Sequence, residues 1–255
     1  MILSILPAAC KDDLPASNNL VVQGYLYANR AFDSIKLVNA ISSDKPFNSN
    51  PVINAKVVIK TAETSYELTG IQNHPGVYYY PGNNFIVRPD SNYTLTIAFN
   101  GQTITAITNI PAKSSHPKLS NDTIYTTNNV TSSNISSTYA TLSWQSGTNY
   151  TFIILNYLEK DTVPNNLVSH ENYVPFYLQQ PLPDENVLSI QMSDFNYLGA
   201  YNIIVCQVNN DFTNLFNGLS GNGLVYASGN NITGGYGIFT GLYTDTIKLM
   251  VVKGN

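Results

Sequence analysis

The sequence predicts an all-β protein: two tandem immunoglobulin-like/fibronectin-III-like β-sandwiches, with one short helix in the second. Three observations predict it. Apolar and polar residues alternate over short runs, the period of a half-buried strand. Turn-forming residues punctuate those runs, with 16 Gly, 13 Pro and 33 Asn in 255 residues. Charged helix formers are scarce at 11%, whereas 18 Tyr and 22 Thr favour strands.

The elements follow in order. Leu20 to Tyr27 alternates, with Val22 and Leu26 on one face, and Ser34 to Val38 repeats the pattern. Ala55–Lys60 and Thr64–Leu68 flank Thr61–Glu63 as a hairpin. Gly76 to Tyr80 is a strand stopped by Pro81-Gly82. Its three consecutive tyrosines, Tyr78, Tyr79 and Tyr80, require at least one to turn away from the core. Tyr93–Phe99 and Thr103–Ile107 meet across Asn100-Gly101, the pair that best tolerates the positive φ angles of a two-residue turn. Together these strands make a first unit, residues 20–112. Residues 113–137 read as a Ser/Thr/Asn-rich linker with one strand at Thr123–Tyr125.

The second unit, residues 138–255, opens with Ala140–Trp144 and Tyr150–Tyr157, where the single Trp reads as a core plug. Pro164, Pro175, Pro181 and Pro183 then mark an irregular stretch before strands at Val187–Gln191 and Tyr201–Val208. Asp211 supplies an N-cap, and the apolar spacing to Gly218 predicts the one short helix. Thr246–Val252 is the last predicted strand. Cys206, inside the apolar run from Tyr201, reads as a buried and inert thiol.

Composition excludes several functions. A net charge of −4 with 12 basic residues lacks the cationic footprint that nucleic-acid binding requires. No apolar run is long enough for a membrane-spanning helix. None of His74, His116 and His170 has a second His at metal-ligand spacing. His74 and His116 precede prolines and read as solvated loop residues, while His170 lies beside Glu171. Asp184 and Glu185 are adjacent in a Pro-rich loop, which suits solvation better than paired acid–base work. The runs Asn217–Gly223 and Gly234–Gly237 have no strand–loop–helix context and read as tight turns, not phosphate cradles. No catalytic residue, metal or cofactor is assigned, and the chain is not expected to be an enzyme.

The N-terminus carries an address. An apolar run ends in Ala8-Ala9 before Cys10, which resembles the end of a bacterial lipoprotein signal peptide, with Cys10 as the lipidated residue. Read without that resemblance, Cys10 is a free thiol in a frayed terminus. Lys11, Asp12 and Asp13 resemble the surface-export signal of Bacteroidota-type lipoproteins, so residues 1–19 are expected to be a signal remnant and tether. Further along, the order Leu20–Tyr25, Val52–Val58, Pro75–Tyr78 and Tyr93–Leu95, with Asn230–Phe239 near the C-terminus, resembles a family of such lipoproteins. That family, a domain of unknown function, is often encoded near TonB-dependent outer-membrane transporters.

The resemblance implies an outer-membrane, lipid-anchored, cell-surface protein with Ig-like domains. The expected function is a non-catalytic accessory or ligand-binding partner of such a transporter; the alternative is an adhesin or structural surface protein. Membrane contact is expected through the lipid anchor only. Ser34, Thr123, Thr162 and Thr246 each follow an Asp and precede an aliphatic residue, which resembles the O-glycosylation acceptor motif of exported Bacteroidota-type proteins. The alternative is that Asp ends a turn and the next two residues begin a strand. For ligand recognition, Tyr173, Phe176 and Tyr177 in the Pro-rich loop 165–185 are the candidates, since aromatics among neutral amides suit a glycan or peptide.

Overall fold

A computed structural model describes residues 20–39, 50–112, 115–126, 138–145, 150–161, 163–164, 176–183, 186–212 and 231–254. They form strands almost throughout, as predicted. Around the first core lie β1 (Leu20–Tyr27), β2 (Ser34–Asn39), β3 (Asn50–Pro51), β4 (Lys56–Lys60), β5 (Ser65–Gly70), β6 (Val77–Tyr79), β7 (Asn92–Phe99) and β8 (Gln102–Asn109). These pair antiparallel in the order β1-β2-β6-β5-β4-β7-β8, a curled sheet whose inward residues alternate along each strand. In β7, Tyr93, Leu95 and Ile97 are buried; opposite them β8 buries Ile104 and Ala106. The β7–β8 turn is the predicted one, with Asn100 at φ 50° and Gly101 at φ 76°.

The tyrosine triplet divides its labour. Tyr78 is buried, its hydroxyl donating to the Val52 carbonyl at 2.9 Å and accepting from the Ala55 N–H at 3.0 Å. Tyr79 is exposed, and Tyr80 packs back on the first core. Phe85 is the centre of an aromatic stack between Tyr66 and Phe32, with ring centroids 3.9 and 4.7 Å away.

The remaining strands are β9 (Lys118–Leu119), β10 (Thr123–Thr126), β11 (Thr138–Ser143), β12 (Tyr150–Tyr157), β13 (Val163–Pro164), β14 (Phe176–Pro183), β15 (Val187–Gln191), β16 (Tyr197–Val208), β17 (Ile232–Thr233) and β18 (Tyr236–Lys253). A three-stranded sheet, β15-β11-β9, and strands β12, β16 and β18 contribute to the second core, with β14 paired to β12 at the sheet edge. Leu142, Trp144, Ile153, Met192, Phe195, Ile203, Val205 and Leu249 fill it, so Trp144 is a core plug.

Three features depart from the sequence reading. Within the expected loop 165–185, residues 176–183 form edge strand β14; prolines read as loop breakers are compatible with an edge, where an N–H need not be paired. The expected short helix is no departure: residues 210–212 are helical, and the rest of it, to Gly218, lies outside the described residues. A 3-10 turn at Met192–Asp194 has no local sequence signal.

The third difference matters most. The last strand is not the short one expected from Thr246 but runs 18 residues from Tyr236 to Lys253. Its first part lies parallel to β1, from Tyr236 opposite Val21 to Leu242 opposite Tyr27. The second part lies antiparallel to β16, and the end runs parallel to β10. β17 adds to β8, so Ile232 and Phe239 belong to the first core although they follow the second in sequence. One continuous sheet therefore serves both cores. A small third cluster, Phe152, Cys206, Val208 and Leu242 with Tyr25 and Tyr27 against it, fills the junction. Phe212 closes that cluster, its ring 4.9 Å from Phe152 and 6.4 Å from Tyr25.

Candidate functional site

The C-terminal run that carried the family resemblance has a structural job. Asn231 grips Phe239 like a strand partner: its Nδ2 donates to the Phe239 carbonyl at 2.7 Å, and its Oδ1 accepts from the Phe239 N–H at 3.0 Å. Ile232, Ile238 and Phe239 are buried. Gly237 sits at φ +107° with its Cα pressed against the Val22 backbone of β1, so any Cβ would collide with the Val22 carbonyl. These residues seat β18 against β1. Replacing Asn231 by alanine leaves two backbone groups of Phe239 without this partner and should lower stability by about 1–3 kcal/mol, read as a fall in denaturant midpoint at unchanged slope.

An open groove lies at the other end of β18. It has a volume of about 640 Å³, inside the range of roughly 300–1,000 Å³ common for small-ligand clefts. Its walls are the turn after β12 (Leu158 to Asp161), Leu198-Gly199 at the start of β16, and Met250 to Lys253. The local folding is specific. β16 begins in a bent segment where Gly199 adopts φ +135°, leaving room for the Tyr157 ring and the Glu159 side chain above it. The Tyr157 hydroxyl donates to the Leu198 carbonyl at 2.8 Å, and Glu159 Oε1 accepts from the Ala200 N–H at 3.3 Å. Leu158, Val163 and Met250 are exposed on the lining, and exposed Tyr125 is the register partner of Val252. Lys160, Lys253 and Asp161 supply charge at the edges. The lining thus combines apolar side chains and the Tyr157 ring with four charged residues, Glu159, Lys160, Asp161 and Lys253.

The predicted site residues distribute as follows. Cys10, Lys11, Asp12, Asp13, Thr162 and Tyr173 lie outside the described residues, as do His170, Asp184 and Glu185. Phe176 and Tyr177 sit on β14 with their backbones opposite Asn156 and Leu155, which places Phe176 one register position from the groove residue Tyr157. Ser34 and Thr123 are the first residues of β2 and β10, and the following Ile35 and Ile124 enter the two cores. Thr123 donates to Asp122 Oδ1 at 3.1 Å. Thr246 differs: it is exposed in mid-strand, so the turn-then-strand account fails there. The preceding Asp245 instead accepts from the N–H and hydroxyl of buried Ser115 at 2.6 and 2.8 Å, fixing the start of the inter-unit segment to β18. No spacing signal in the sequence pairs those two residues.

His74 and His116 are exposed. Cys206 is buried, and desolvation pushes its thiol up to about 12, with Arg30 acting in the opposite direction. Burial also raises Asp194, opposed by the Gln191 N–H that it accepts at 2.8 Å as the cap of the 3-10 turn. Among the described residues no group of three His, Cys, Asp or Glu side chains is placed to hold a metal ion. No family model matches this chain, and no curated protein matches it either.

Proposed function

We propose that this chain is a non-catalytic binding protein, lipid-anchored through Cys10 at the outer-membrane surface, that captures a neutral glycan or peptide for a TonB-dependent transporter. In this reading the two cores are immunoglobulin-like and fibronectin-III-like sandwiches, and the capture site is the groove between the β12 turn and the end of β18. The observation that carries it is the gathering of exposed Leu158, Val163 and Met250 around one open cleft. Apolar groups exposed together at a cleft mark a binding surface more often than the same groups scattered singly. The N-terminal sequence supplies the surface address, and the register of β14 brings Phe176 beside the same end of the sheet. A second reading, an adhesin or structural surface protein, draws support from the single sheet that runs through both cores.

A glycan and peptide array tests the proposal. The wild-type protein should bind at least one class, and Leu158→Asp with Met250→Asp should weaken that binding at least tenfold while leaving the denaturant midpoint near its original value. Binding that survives both substitutions would move the site elsewhere. An array with no signal, together with no transporter in co-purification from native membranes, would end the capture reading.

A further inference from the structure

We propose that β1 and β18 form a shear clamp, which holds the fold when tension is applied between its two ends. β1 is the first described strand and β18 the last, and they run parallel in direct contact. Pulling back on the chain ahead of Leu20 and forward on the chain beyond Lys253 drags these two strands past each other along their common axis. The ladder from Val21–Tyr236 to Tyr27–Leu242 lies across that axis, so its evenly spaced hydrogen bonds share the load and must fail together. An antiparallel hairpin pulled apart at its open end loses the same kind of bond one at a time.

The side chains block sliding as well as separation. Phe239 lies against Gly24, and Gly237 is seated on the Val22 backbone. A slip by one residue would bring a Cβ to each close approach and turn the buried face of β1 outward. Asn231 holds Phe239 from the opposite direction. The far end of β18 cannot peel first without opening its ladders with β16, from Leu242 to Val251, and with β10, from Met250 to Lys253. Load entering at Lys253 therefore travels along one strand through the second unit and crosses to β1 in shear. The β1–β18 ladder itself contains none of the groove residues, so it stands or falls independently of what the groove binds.

Single-molecule force spectroscopy on the full chain tests it in two geometries. In the first, handles are fused to both ends. In the second, one handle stays at the N-terminal end and the other is attached at Asn39→Cys, opposite Leu20 at the open end of the β1–β2 hairpin. The clamp predicts that the end-to-end unfolding force exceeds the hairpin force severalfold. Phe239→Ala should lower the end-to-end force by more, per unit of equilibrium stability lost, than Leu95→Ala, whose strand pairs with neither β1 nor β18. An end-to-end force no higher than the hairpin force overturns the proposal. So does a fall in force that follows equilibrium stability equally in both variants.

Discussion

Gly237→Ala should prevent the first unit from closing. Two costs act at this position. Holding an alanine at φ +107° costs on the order of 1–3 kcal/mol, because an L side chain rarely adopts that conformation. The added Cβ also meets the Val22 carbonyl, carbon and nitrogen, and a backbone in a paired strand cannot rotate aside as a flexible side chain can. β18 must therefore move off β1, which sacrifices ladder hydrogen bonds and loosens Phe239 in the core. Against a typical domain stability of about 5–15 kcal/mol, the sum is large enough to leave much of the protein unfolded. Gly101→Ala is the matched control. Gly101 has φ +76° with open space around it, so its variant bears the conformational cost alone and should remain folded with a modestly lower midpoint. Equal behaviour of the two variants in a denaturant titration followed by circular dichroism would refute the close-approach argument.

Leu95→Ala should destabilise the whole protein by about 2–5 kcal/mol. Leu95 is fully buried in β7, flanked across the ladder by Ile59 and Ala106, and the close-packed strands on either side leave little freedom to fill the void. The size of the loss is ordinary for a core leucine; its reach is the more informative part. β7 hydrogen-bonds only to β4 and β8, well inside the first unit. Yet β8 carries β17, and β17 leads through a two-residue turn into β18. When the first core loosens, β18 loses the surface on which Phe239 is packed, and the same strand supplies Leu249 and Val251 to the second core. Damage at Leu95 should therefore be felt at Trp144.

Local pattern made much of the fold legible. Strands with one buried face, such as β7 and β8, announce themselves by alternation, and Asn100-Gly101 announces its turn by the φ angles it tolerates. What stayed hidden was non-local or atypical. β18 reads as a short strand because Gly237 and Gly241 interrupt its first half, and glycine normally weakens a strand. Here both mark places where neighbouring backbone comes close: Val22 at one, Asn109 and Ile110 at the other. β14 was hidden by Pro181 and Pro183, which an edge strand accepts. The bond between Asp245 and Ser115 joins residues far apart in sequence, and the groove is assembled from three separate segments, so neither leaves a linear motif. The run Asn230–Phe239 was recognisable as a pattern, but its purpose appears only once Asn231 is seen holding the Phe239 backbone.

The central claim is that β18 makes two cores into one cooperative body. Trp144, the single tryptophan, lies in the second core and reports on it alone through its fluorescence. The decisive measurement is the Trp144 unfolding transition of Leu95→Ala against wild type, recorded beside circular dichroism on the same samples. The shared strand predicts that the tryptophan transition moves to lower denaturant by the full amount and coincides with the circular-dichroism transition. A tryptophan transition that stays at its wild-type midpoint, while circular dichroism splits into two phases, would contradict it.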